Sequence, residues 1–114
     1  MEKQEIQLDL VFSALSDRTR RKILETVKVK DCTVMELAGM FDMSLPAVSK
    51  HLKILDHSGL LQRKKDGRYV KCHFEPEPMR GAIEWISRQH QFWNDGLNAL
   101  AELLDKENQE GAEK

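Results

Sequence analysis

The stretch MSLPAVSKHLKILDHSG, residues 43–59, decides the fold. Leu45, Val48, Leu52 and Leu55 recur at spacings of three and four, which predicts a helix with a single buried stripe. Ser44 is placed as its N-cap, Pro46 falls in the first turn where a missing N–H costs nothing, and Gly59 suits the far end. The remaining face carries Ala47, Ser49, Lys50, His51 and Lys53, with no acid before Asp56, and so suits an anionic partner. Just upstream, TVMELAGMF at 33–41 predicts a second short helix, with Thr33 and Glu36 spaced as a capping box and Asp42-Met43 as the connector. Two short helices joined by a tight turn form a helix-turn-helix, whose second member enters the DNA major groove.

At 114 residues the chain is expected to form one domain over 1–114, too small to carry an enzyme cleft as well. No apolar run approaches the roughly 20 residues of a membrane span. The start MEKQEIQLDL is acidic and polar, unlike a signal peptide, so a cytoplasmic protein is expected. The net charge of −1 conceals an asymmetry: residues 44–73 hold seven Lys/Arg against two Asp/Glu, and residues 74–114 four against nine. Binding to phosphate depends on the cations that touch it and not on the total, so the basic middle is compatible with DNA.

Working outward, Ile6, Leu10, Val11, Ala14 and Leu15 predict an amphipathic helix over 6–15. A second helix begins at Ser16 or Asp17 and runs to about Lys28, with Ile23, Leu24 and Val27 inward and Arg18, Arg20, Arg21 and Lys22 on a solvated face. After Gly59 the period changes to two. Leu60–Lys65 and Arg68–Phe74 flank Asp66-Gly67 and predict a two-stranded hairpin whose Val70, Cys72 and Phe74 face the core. Arg63, Lys64, Lys65, Arg68 and Lys71 make that hairpin a basic wing suited to phosphate or minor-groove contact. Beyond Glu75-Pro-Glu-Pro, a long helix over about 79–105 carries Ile83, Ile86, His90, Trp93, Leu97, Leu100 and Leu104 at coiled-coil spacing, widened by Trp85, Phe92 and Leu103. So small a domain has little else to cover that stripe. A homodimer is expected, through Ile6 and Leu10 of the first helix and Ile83, Ile86, His90, Trp93, Leu97 and Leu100 of the last, with a polar tail over 106–114.

SDRTRRKIL at 16–24, ELAGMFDMSLPAVSKHLKILDHSGLL at 36–61 and DGRYVKCHF at 66–74 together resemble the ArsR/SmtB family of winged helix-turn-helix repressors. The resemblance implies a mainly α winged helix with a two-stranded hairpin wing and a long C-terminal dimerisation helix. It implies a homodimer that represses transcription by occupying double-stranded operator DNA. Ser44, Pro46, Ala47, Ser49, Lys50, His51 and Lys53 fall at family DNA-contact positions, and Arg63, Lys65 and Arg68 fall in the wing. Arg18 departs from the proline common in the family before Thr-Arg. Thr33 and Met35 occupy the positions where metal-sensing members carry a Cys-x-Cys pair, and the last helix offers only His90 and scattered acids such as Glu84 and Asp95. Soft-metal sensing needs three or four spaced donors, so the metal-independent branch is expected, with no metal and no cofactor. The effector stays open.

Competing readings attach to particular residues. Cys32 and Cys72 form no C-x-x-C pair and read as reduced, buried thiols, with a redox-responsive repressor as the alternative. His90 reads as an interface histidine, with a pH response as the alternative, and His57 and His73 as surface residues. No Gly-rich phosphate loop, carboxylate pair or activated nucleophile is present, so catalysis is not expected. The remaining alternative, a winged helix that docks a protein, is disfavoured by the cationic face of residues 44–73.

Overall fold

Apolar residues that recur along the chain become one core in the computed structural model, which describes residues 2–112. The elements are α1 (Glu2–Leu15), α2 (Arg18–Val29), β1 (Cys32–Thr33), α3 (Val34–Met40), α4 (Leu45–His57), β2 (Leu61–Asp66), β3 (Tyr69–Phe74) and α5 (Met79–Ala112). The chain contacts divide after Ala82 into two units, a winged helix-turn-helix and the remainder of α5. None of the described helices is long and apolar enough to cross a membrane.

Within the first unit, Val11 and Ala14 of α1, Ile23, Leu24 and Val27 of α2, Leu37 of α3, and Val48, Leu52 and Leu55 of α4 close on Leu60, Leu61 and Cys72. Each element presents the face that its sequence period assigns. One member of the predicted stripe differs: Leu45, in the first turn of α4, is 46 % exposed. It lies at the helix end, beyond the reach of the elements that cover Val48 and Leu52.

Local hydrogen bonds set the helix-turn-helix. Thr33 accepts from the Glu36 N–H, and Glu36 accepts from the Thr33 N–H, completing the capping box at α3. At its other end Asp42 takes φ 50, and the Met43 N–H donates to the Ala38 carbonyl at 3.1 Å. This is a Schellman closure with aspartate in the left-handed position, which Asp tolerates better than most residues. Ser44 then accepts from the Ala47 N–H and opens α4. At the end of α4 the buried Ser58 hydroxyl donates to the Leu55 carbonyl at 2.6 Å and accepts from the Leu60 N–H at 3.2 Å. Two otherwise orphaned backbone groups are thereby satisfied.

The sheet has three antiparallel strands in the order β1-β3-β2. Asp66 pairs with Tyr69, so the hairpin turns on Gly67-Arg68, one residue later than Asp66-Gly67. Gly67 has φ +64 and Arg68 has no positive φ, the pattern of a turn with glycine first and thus of the type that matches strand twist. Three further boundaries differ. α1 begins at Glu2, α2 extends to Val29, and α5 runs past Asp105 to Ala112. Residues 106–112 of the expected polar tail are helical because Lys, Glu and Gln are good helix formers and extend an existing helix without a new nucleus. The last two tail residues lie outside the described residues.

Gly59 has φ +82, and a Cβ there would lie 3.0 Å from Cγ of Pro78. Gly59→Ala therefore lowers stability by at least about 1 kcal/mol, read as a lower urea midpoint with an unchanged slope.

Candidate nucleic-acid interface

The buried stripe of α4 fixes what its other sides can present. Pro46, Ser49, Lys50 and Lys53 are exposed, Ala47 is half-buried, and the Ser44 hydroxyl is occupied as the cap. Among the described residues Lys50 and Lys53 make no ion pair, so their charges are available to an external anion. His51 is half-buried against the start of α2. Arg20 Nη1 lies 3.4 Å from its Nδ1, and Oδ2 of Asp17 lies 3.8 Å from the same nitrogen. A guanidinium only donates, so Nδ1 accepts and the ring proton sits on Nε2.

Arg20 departs from the solvated face expected of α2, on which Arg18, Arg21 and Lys22 are exposed. Its Nε donates to the Ala14 carbonyl at 2.9 Å and its Nη2 to the Ser13 carbonyl at 3.0 Å, while Arg21 donates to the Leu15 carbonyl at 2.6 Å. These arginines close the orphaned C-terminal carbonyls of α1. Asp17 caps α2, and the Arg20 backbone N–H on its carboxylate is the foremost cause holding its pKa below the ordinary value. Two arginines six residues after the last carbonyls of a helix that ends just before the next begins were the signal available in the sequence for this arrangement.

Register divides the wing cations between two faces. Arg63 and Lys65 stand opposite Cys72 and Val70, whereas Lys64 stands opposite Lys71. Arg63 reaches back to α4, with Nε and Nη2 at 3.2 and 3.0 Å from Oδ2 of Asp56, and so ties the wing to the recognition helix. Lys71 lies 3.8 Å from Asp66. Lys64, Lys65 and Arg68 are exposed, form no ion pair among the described residues, and cluster at the hairpin end. Like charges directly opposite on a hairpin repel, so the Lys64–Lys71 pair is a local cost that a bound polyanion relieves.

The residues expected at a dimer interface are all exposed. Ile6 and Leu10 of α1 are 59 and 39 % exposed, and Ile83, Ile86, Trp93, Leu97 and Leu100 of α5 lie between 51 and 66 %. His90 on the same stripe accepts at Nε2 from the Asn94 side-chain amide at 3.1 Å.

A family model described as bacterial regulatory protein, arsR family, matches residues 17–63, from the start of α2 through the recognition helix into β2. The transcriptional repressor SdpR of Bacillus subtilis is 34% identical over 90 residues, spanning 79% of this chain and 97% of that protein. The chain belongs to the ArsR family. It is a DNA-binding transcriptional regulator with a winged helix-turn-helix fold. The arsenical resistance operon repressor of Escherichia coli is 29% identical over 105 residues, covering 91% of this chain and 90% of the relative. The solved structure of an ArsR-like transcriptional regulator from Rhodococcus sp. RHA1 superposes with a TM-score of 0.73 at 29% identity, covering 87% of this chain and 93% of that one.

Names within the ArsR family refer to arsenic and cadmium resistance, so the donor set bears on this chain. Thr33 caps α3 and Met35 is exposed on it, and neither supplies a thiolate. Among the described residues no three His, Cys, Asp or Glu side chains are grouped to hold a metal ion. The residues present do not fit such a site. His73 instead pairs with Asp31 at 2.8 Å.

The two cysteines of this ArsR-family chain are free and buried, and they are register partners across β1 and β3. Burial is the largest influence on both thiols: it pushes Cys32 up and Cys72 to about 11. Thiolate is the reactive form, so the fold suppresses the chemistry that the pairing brings within reach. Folded Cys72 keeps its proton to a higher pH than the unfolded thiol, whose ordinary value is 9.0. Its contribution to stability is whole below about pH 9 and is lost as the pH rises toward 11. Urea midpoints measured from pH 8 upward should therefore fall more steeply in the native chain than in Cys72→Val.

Proposed function

We propose that this ArsR-family regulator is a repressor that occupies an inverted-repeat operator as a homodimer and works in the cytoplasm, by binding alone, without the metal site of its metal-sensing relatives. The observation that carries the reading is the concentration of exposed cations without ion pairs on two elements in contact, Lys50 and Lys53 on α4 with Lys64, Lys65 and Arg68 on the wing, beside scattered ones such as Lys22 and Lys28 of α2. A polyanion is the partner that such a set fits, whereas a protein-docking winged helix has no use for it. Lys50, Lys53, Lys65 and Arg68 position the protein on phosphate, with Arg63 holding the wing in place. Ser44, Pro46, Ala47, Ser49 and the Nε2–H of His51 meet base edges or nearby phosphate oxygens. Repression as the sign of regulation follows the names of the Bacillus and Escherichia relatives.

Dimerisation is supported by the apolar stripe of α5, sustained from Ile83 to Leu104 and exposed throughout in the single chain. Patches of that extent mark association surfaces in water-soluble proteins. Two-fold symmetry sets two recognition helices roughly 34–36 Å apart, one turn of duplex, and makes the operator palindromic. A redox-responsive variant of this reading draws on the Cys32–Cys72 pairing, but the burial that raises both thiol pKa values weighs against it.

Duplexes selected from a random-sequence library by the purified protein, bound across a salt series with and without chelator, test the reading. A palindromic consensus bound by two protomers and indifferent to chelator supports it; equal weak affinity for every sequence would sink it. Lys50→Ala and Arg68→Ala each weaken operator binding most at low salt and reduce the slope of log affinity against log salt by about 1. Leu97→Glu sets a charge in the proposed interface, and sedimentation should then find monomer where the native chain is a dimer.

A further inference from the structure

Leu45 stands apart from the rest of its stripe. Val48, Leu52 and Leu55 are wholly buried, whereas Leu45 is 46 % exposed at the first position of α4. We infer that Leu45 reads the 5-methyl group of a thymine in each operator half-site and is a specificity-determining residue of this regulator. The inference rests on the operator reading above and adds which base chemistry the leading end of α4 recognises.

Position and chemistry carry it. A recognition helix meets base edges through its N-terminal residues, and Leu45 is the first of them. An isolated exposed leucine has no meaning by itself. Here it stands beside exposed Pro46, which has no N–H, and Ser44, whose oxygen accepts the Ala47 N–H at 3.3 Å and whose hydroxyl proton is left as the one polar donor of this edge. The leading edge is thus mostly hydrocarbon, with the free cations Lys50 and Lys53 further along the helix to hold it against a polyanion. In the major groove, hydrocarbon is offered by one group, the thymine methyl. Burying Leu45 against it removes apolar surface of both partners from water, whereas cytosine at the same place carries only a hydrogen on C5 and forgoes that burial.

The test replaces each thymine of the selected operator in turn by deoxyuridine, which deletes the methyl group and leaves base pairing intact. Affinity is read by fluorescence anisotropy with the full chain. One thymine per half-site should lose about fourfold in affinity on replacement, the effect of one buried methyl group. Leu45→Ala should bind the thymine and uracil duplexes equally at that position, with a cooperative thermal melt showing that loss of this half-exposed side chain leaves the fold intact. The assignment is overturned if no thymine of the bound operator shows the loss, or if Leu45→Ala retains it, which would move the contact to Ala47 or Pro46. A library that yields no consensus overturns the operator reading, and this inference with it. If the alanine variant folds poorly, Leu45→Gln, which keeps the length of the side chain and suits a helix, repeats the comparison: equal binding of the two duplexes supports the assignment and a retained loss overturns it.

Discussion

The helix face that we propose for DNA recognition depends on three side chains buried behind it. Val48, Leu52 and Leu55 seat α4 against α1, α2, α3 and β2. A 13-residue helix is marginal in water by itself, so its existence and its angle to the wing both come from this burial. Truncating one such leucine to alanine typically costs about 2–5 kcal/mol, a large share of the roughly 5–15 kcal/mol that holds a domain together. The recognition face is accordingly rigid because its back is packed, and the cations on it need no partners within the protein to be held in position.

Charge is arranged differently from packing. Most polar groups near the core are committed: Arg20 and Arg21 to the end of α1, Arg63 to Asp56, Ser58 to backbone on both sides. Among the described residues, unpaired cations are scattered on α2 and α5 but gather on α4 and at the hairpin end, where Lys64 also faces the Asp66-paired Lys71 across the strands. A soluble domain under no functional demand would pair or disperse those charges. Under the proposed function their accumulation is a small local instability that bound phosphate would relieve, with counterion release driving binding. The acidic C-terminal region balances the total charge of the chain.

The α5 helix obeys the same logic with apolar groups. Its stripe spans three heptads, and Trp85, Phe92 and Leu103 broaden it to about half the helix circumference. Phe92 and Trp93 meet edge to face at a centroid distance of 6.4 Å. A surface this apolar is costly in water, and a second chain is the partner we propose for it.

Much of this was legible in the chain because short-range chemistry decides it. Ser44, Pro46, Gly59, the Thr33–Glu36 box and the Asp66-Gly67 turn signal act within a few residues, so the helix-turn-helix and wing follow from local spacing. The cations of the candidate interface were legible too, since exposed charge needs no distant partner. Tertiary structure alone decided the rest. Arg20 ceased to be a surface charge when the end of α1 came within reach, His51 turned one nitrogen toward Arg20, and Arg63 found Asp56 across the helix–strand junction. Leu45 became half surface because the buried stripe stops at Val48, and the Cys32–Cys72 approach, which the family resemblance made conceivable, took its register from a strand pairing 40 residues apart. Periodicity specifies which side of an element is apolar; what covers each turn, and which polar group arrives from elsewhere, depends on contacts made only when the whole chain closes.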